Sequence, residues 1–210
     1  RRRSGITLAN QQLDLGNLTP DLNKSLGQWF TPEPLAARLV RFAKIRPHHR
    51  VLEPAAGAGA FIKAAKGRAR SIDAHELDPR WAEYMRHRFD PNFARVQCGD
   101  YLEAPPPERP YDVSIMNPPY ENNMEAHFLR KALGESERVF GLIRAHGMAG
   151  QERHEILWKD VDKGKVGMPR KINFITRPRF KGQGGMHEIV FVELSYAAAG
   201  CTTKESWWYA

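Results

Sequence analysis

Between residues 51 and 143 short apolar runs alternate with helix-forming segments, and no other feature restricts the fold so tightly. Val51-Leu52 reads as a first strand, followed by the turn Glu53-Pro54-Ala55-Ala56-Gly57-Ala58-Gly59-Ala60 and a helix from Phe61 to about Lys66. Ser71 to Glu76 is the second strand, and Pro79 opens a helix to about Arg88. Ala94 to Cys98 and Tyr111 to Met116 are the third and fourth strands. A helix from about Met124 to Leu133, ended by Gly134, leads to a fifth strand at Val139 to Ile143. The proline-rich run from Glu103 to Pro110 suits neither a helix nor a central strand and is a connector. Strands separated by helices return in the same direction, so this rhythm predicts an α/β fold with a parallel, doubly wound sheet and helices on both faces. Lys171 to Thr176 and Glu188 to Leu194 break the rhythm and read as a closing antiparallel hairpin.

The 210 residues suffice for one large domain, and 41% hydrophobic residues suffice for its core. Disordered, collagenous and disulfide-stapled chains are excluded. No apolar run is long enough to span a membrane, and Arg1 to Gly5 lead into no secretion signal, so a cytoplasmic site is expected. The absence of an initial methionine suggests a trimmed chain. The net charge of +8 favours a polyanionic partner, most simply nucleic acid. Residues 1–26 are polar and read as an arm. Thr31-Pro32-Glu33 reads as a helix start with a capping hydroxyl, and Leu35, Leu39, Val40 and Phe42 supply one apolar face. Cys98 and Cys201 have no metal-ligand spacing, and the histidines show none either, so no metal site is expected. Cys98 is expected to be a buried structural cysteine.

Two short segments carry chemistry. Gly57 and Gly59 permit a tight turn and a close approach of ligand to backbone, but Ile62 stands where a dinucleotide fingerprint has its third glycine. Glu53 before the turn would repel a pyrophosphate and suits a cationic ligand. Glu76, at the end of the second strand, is placed to hold ribose hydroxyls. The second segment, Asn117-Pro118-Pro119-Tyr120, follows the fourth strand at the carboxyl edge where such sheets bind ligands. Its prolines stiffen the loop and remove two N–H donors, leaving the Asn117 side-chain oxygen and the Pro118 carbonyl as acceptors. Tyr120 adds an aromatic face. A planar amine could donate to those oxygens while its ring stacks on the tyrosine.

These segments resemble class I S-adenosylmethionine-dependent amino-methyltransferases, and most of all N6-adenine DNA methyltransferases of the short, phage-like form. The resemblance rests on Phe30-Thr31-Pro32, Val51 through Phe61, His75 through Pro79, Gly99 through Leu102 and Ile115 through Tyr120. It implies a Rossmann-like fold with a mostly parallel seven-stranded sheet. It also implies one catalytic domain over residues 27–200, a tail at 201–210 and no separate target-recognition domain. Cofactor binding would fall to Phe30, Thr31, Glu53, Ala56, Gly57, Gly59, Glu76, Asp100, Tyr101 and Asn117, and catalysis to Asn117, Pro118, Pro119 and Tyr120. The implied reaction is direct in-line methyl transfer from S-adenosylmethionine to the N6 amine of a flipped adenine in DNA. A bacterial or phage-infected cell is the implied setting.

The segment after Tyr120 is basic, and Arg144, Arg153, Lys165, Arg170, Lys171, Arg177, Arg179 and Lys181 are expected to contact phosphates. It leaves space for a recognition loop only, so specificity is expected to be low or supplied by a protein partner. Two rivals share the chemistry or the fold: N6 methylation of RNA adenine, and a cofactor-binding subunit of a larger restriction-modification assembly.

Overall fold

A computed structural model describes residues 30–148, 151–158, 171–175, 189–195 and 204–208. In chain order its main elements are α1 (Glu33–Phe42), β1 (Arg50–Glu53), α2 (Ala60–Ala65), β2 (Ser71–Glu76), α3 (Pro79–Arg88) and β3 (Ala94–Cys98). There follow β4 (Tyr111–Met116), α4 (Met124–Glu135), β5 (Ser136–Arg144), β6 (Lys171–Ile175), β7 (Ile189–Ser195) and β8 (Lys204–Trp208).

The strands form one sheet in the order β3-β2-β1-β4-β5-β7-β6-β8. Strands β1 to β5 pair in parallel, and β7 runs antiparallel to both of its neighbours, β5 and β6. The α/β architecture and the closing hairpin match the sequence reading. The strand number does not: eight strands are described where seven were implied, because Lys204–Trp208, taken as part of a tail, pairs in parallel with β6.

Alternation along the strands explains the layers, since successive side chains point to opposite faces. Val51, Val113, Ile115, Phe140, Leu142 and Phe191 pack with Leu39, Val40, Phe61, Ile62 and Met85 from α1, α2 and α3. Their neighbours Leu52, Met116, Val139, Ile143, Val190 and Val192 pack with Ala126, Leu129, Ala132 and Leu133 from α4. Burial on both faces is why these strands are apolar throughout.

Local signals succeed or fail for identifiable reasons. Asp78 caps α3, its carboxylate accepting from the Arg80 N–H at 2.9 Å, with Pro79 in the first turn as expected. Thr31 does not cap α1. Pro32 occupies the cap position with extended dihedrals, and the helix start has no side-chain cap hydrogen bond. Gly134 does not end α4, which continues to Glu135 and passes into β5 at Ser136. Cys98 is exposed rather than buried, because β3 is the edge strand and its last residues face solvent.

Candidate active site

The carboxyl ends of β1, β2 and β4 and the segment after β3 place Glu53, Glu76, Asn117 and Asp100 along one edge of the sheet. Phe30, Thr31, Ala56, Gly57, Tyr101 and Pro119 join these four in lining a single cavity. Sequence reasoning had singled out all ten. It missed Leu77, Met124 and Phe128, which line the same cavity. Leu77 carried a signal: a leucine after the strand-ending Glu76, 61% exposed and so offering an apolar surface to a ligand.

Glu53 is the most demanding residue in the cavity. It is 1% exposed, and its Oε2 has no hydrogen-bond partner. Burial, then the nearby Glu76 carboxylate, hold its carboxyl well above the usual range, although the N–H groups of Ile62 and Phe61 oppose this. A cationic ligand would relieve both the desolvation and the orphaned oxygen.

The two glycines of the turn have different duties. Gly57 lies at φ +53°, and a Cβ there would come within 3.0 Å of the Phe30 ring, so the bare backbone forms the cavity wall beneath that ring. Gly59, at φ +78°, would drive a Cβ to 2.6 Å from Phe89. It is absent from the lining. The structure therefore gives Gly59 a packing duty at the start of α2, outside the cavity lining.

Glu76 accepts from the Gly57 N–H at 2.6 Å and from the Asp78 N–H at 2.9 Å, so it ties the turn after β1 to the end of β2. Its carboxyl is also raised, chiefly by burial. Asp100 uses Oδ1 to accept from the Leu102 N–H at 2.8 Å. Tyr101 turns its hydroxyl inward, donating to Glu135 at 2.8 Å, and its ring contributes to the cavity wall.

Asn117 joins both parts of the cavity. Its Nδ2 donates to the Thr31 Oγ1 at 3.1 Å, and its Oδ1 accepts from the Tyr120 hydroxyl at 2.7 Å. These partners fix which way the amide points. Thr31, drawn off its expected capping duty, works here instead. Tyr120 differs from expectation: it is 5% exposed, and the Arg144 guanidinium sits 5.5 Å from its ring centroid. It has no open face for stacking. Burial, ahead of the nearby Glu125 charge, pushes its phenol pKa up, so it stays a donor at neutral pH. Pro118 is buried outside the lining, whereas Pro119 faces the cavity.

The expected phosphate-binding residues separate into two groups. Arg144 donates to the Tyr120 carbonyl and to Glu125 Oε1, the latter at 2.8 Å, while Arg153 lies 3.7 Å from the same Glu125 oxygen. Both arginines point into the protein. Lys165, Arg170, Arg177, Arg179 and Lys181 lie outside the described residues, and Lys171 is described only as the first residue of β6.

Comparison with known proteins adds four matches. A family model described as N-6 DNA Methylase matches residues 13–79. Among curated proteins, a dimethyladenosine transferase of Candida glabrata is 33% identical over 129 residues, covering 58% of this chain and 40% of that protein. An rRNA adenine N-6-methyltransferase of Streptomyces fradiae is 36% identical over 80 residues, covering 37% of this chain and 25% of that protein. Over these parts of its length the chain is similar to adenine N6-methyltransferases. The chain spans less than half the length of these curated relatives. A solved chain described as a modification subunit of a type I restriction enzyme from Vibrio vulnificus YJ016 shares the fold. Its TM-score is 0.68 at 14% identity, with coverage of 90% of this chain and 48% of that one.

The fold is the Rossmann-like fold of methyltransferases, and a solved chain of that fold from Listeria monocytogenes is described as S-adenosylmethionine-dependent, so S-adenosylmethionine is the group this cavity would have to fit. The residues present fit that group. The orphaned, buried Glu53 oxygen suits a cation, and the side-chain-free wall at Gly57 leaves space against the backbone.

Proposed function

We propose that this chain methylates the exocyclic N6 amine of adenine in nucleic acid, DNA in the first reading, using S-adenosylmethionine. The observation that carries this reading is Asn117: an oriented amide acceptor lining the same cavity as an orphaned buried carboxylate. When bound, S-adenosylmethionine supplies an electrophilic methyl group.

The residues divide the work. Glu53, the Gly57 backbone, Glu76 and Asp100 hold the cofactor, with Phe30 over the turn and Leu77 offering an apolar surface. Asn117 Oδ1, oriented by the Tyr120 hydroxyl, is the acceptor toward which the target amine would donate. Such an acceptor favours a pyramidal nitrogen with an available lone pair and meets the positive charge that grows on it. Tyr120 orients the acceptor from behind, in place of the stacking first expected of it. The chemistry is positioning and electrostatics, with no covalent intermediate.

DNA as substrate is supported by the family model and by the Asn-Pro-Pro-Tyr segment, while the net charge of +8 suits DNA and RNA alike. RNA is the second reading, favoured by the curated rRNA adenine N-6-methyltransferase. The shared fold with a modification subunit favours a protein partner that supplies sequence recognition. A cytoplasmic setting suits either substrate; among the described residues no helix is long and apolar enough to cross a membrane.

Nucleoside mass spectrometry tests the reading. A methylation-deficient bacterial host would express the chain or its Asn117→Ala variant, and DNA and RNA pools would be digested separately. The expected result is N6-methyladenine in DNA with the parent chain and none with the variant. Methylation confined to RNA, mono or dimethyl, replaces the substrate. No gain in either pool rejects the reading.

A further inference from the structure

The Asn117–Tyr120 loop poses a mechanical problem that its own sequence does not solve. Pro118 and Pro119 have no N–H to donate, so the loop cannot be pinned through its backbone donors there. The remaining handles are side chains and carbonyls. Asn117 is held by Thr31, and the Tyr120 hydroxyl lies 3.2 Å from the Leu142 carbonyl as well as 2.7 Å from Asn117. The Tyr120 carbonyl is held by the Arg144 guanidinium, which also sits beside the tyrosine ring.

We propose that Arg144 is a positioning residue for the methyl-transfer site, fixing the Asn117–Tyr120 loop through the Tyr120 carbonyl and ring while paired with the buried Glu125. This rests on the adenine-N6 reading of the cavity. Arg144 is the last residue of β5 and Glu125 stands in the first turn of α4, just beyond the loop. The arginine thus braces the loop from its far side and ties it to the sheet. Its side chain is 17% exposed and that of Glu125 is 0% exposed. This placement suits an internal brace, whereas an arginine reading phosphates would project from the surface.

Pairing also serves the chemistry. The target nitrogen becomes positive during attack, and a lone guanidinium near the acceptors would oppose that charge. Glu125 offsets part of it at 2.8 Å, while sharing the same oxygen with Arg153 at 3.7 Å, so the loop gains a guanidinium donor at reduced electrostatic cost to the reaction. Arg144 in turn relieves the buried carboxylate.

The test uses the full chain with two variants, Arg144→Lys and the neutral pair Arg144→Met/Glu125→Gln, which removes one charge of each sign and leaves Arg153 without the carboxylate 3.7 Å from it. Three quantities are read: S-adenosylmethionine affinity by calorimetry, kcat and KM for N6-methyladenine formation on host nucleic acid, and hydrogen exchange at residues 120–126 against residues 53–62. In the neutral pair the expected cofactor affinity is within about twofold of the parent, with kcat about 100-fold lower and KM little changed, the scale expected for a misplaced reacting group. Exchange should rise about tenfold at 120–126 and stay unchanged at 53–62. Arg144→Lys, which keeps the charge and the donors on one nitrogen but loses the planar guanidinium beside the Tyr120 ring, should recover about tenfold of the lost kcat.

Unchanged exchange at 120–126, or kcat within twofold of the parent, overturns the proposal. Equal loss of cofactor affinity and kcat does so too, since it marks a brace of the whole fold. A parent chain with no N6 activity would reject the adenine reading alone, and the exchange result would still decide whether Arg144 holds the loop. If the neutral pair does not fold, Arg144→Lys decides by itself. A kcat about tenfold below the parent supports the brace, and parental kcat overturns it.

Discussion

The cavity has two ends that are built in different ways. At the cofactor end, the carboxylates stand at strand termini and are fixed by neighbouring backbone: Glu76 by Gly57 and Asp78, and Asp100 by Leu102. At the acceptor end, Asn117 is fixed by Thr31, 86 residues away, and Tyr120 by Leu142 and Arg144 on β5. One end is a set of turns that parallel strands generate locally. The other is assembled only when the segment before α1, the loop and β5 come together. Damage to the first should therefore appear in cofactor affinity, and damage to the second in turnover.

The sharpest test of this division is Asn117→Ala. It should lower kcat by on the order of 1000-fold, the scale of losing a preorganised transition-state contact, with S-adenosylmethionine affinity within a few-fold of the parent in calorimetry. A matching loss of affinity would dissolve the distinction between the two ends.

Glu53→Gln is next in size and acts at the opposite end. Cofactor affinity should fall on the order of 100-fold, as for removal of one partner of a buried charge pair. Stability of the ligand-free protein should move the other way. The Glu53 carboxyl is raised in the folded state, so that state keeps its proton after the unfolded chain has lost its own. The parent is thus most stable, relative to the variant, below the ordinary carboxylate range. It loses that margin as pH rises from this range toward the raised value. Thermal melts of both proteins at a series of pH values should show the gap opening in the variant's favour. A parallel pair of curves would show that Glu53 is not strained.

Smaller effects refine the picture. Tyr120→Phe removes the hydroxyl that orients Asn117 and keeps the ring, so kcat should fall roughly tenfold, about the worth of one hydrogen bond. Parental turnover would restore the stacking role first expected of this residue. Asp100→Ala should weaken the cofactor several-fold while kcat at saturation stays unchanged, since one exposed hydrogen bond is lost. A kcat defect there would place Asp100 at the acceptor end.

The same division explains what could be read from the chain. The β1 to β5 alternation, the turn after Val51-Leu52, and the acids ending or following strands are local patterns, and the structure places them as expected. At three places a long-range partner claims a residue that its local sequence suited to another duty. Thr31 is a good capping residue, yet its hydroxyl goes to Asn117. Tyr120 looks like a platform, yet it is buried under Arg144. Arg144 and Arg153 belong to a basic stretch, yet Glu125 draws both inward. Gly59 shows a further limit: sequence reveals that a glycine is needed without revealing whether a ligand or Phe89 requires the space.

The placement of β7 between β5 and β6 has a consequence for synthesis on the ribosome. Strands β1 to β5 can pair as they emerge, each finding its neighbour already made. When β6 emerges, its nearest partner in the sheet is still unsynthesised, and β5 presents an unpaired edge until residues 189–195 arrive. A stalled or prematurely terminated chain would thus hold a nearly complete cofactor end beside an open apolar strand, the kind of edge that recruits other chains. For this protein the interval before β7 emerges is the period of greatest exposure to misassembly.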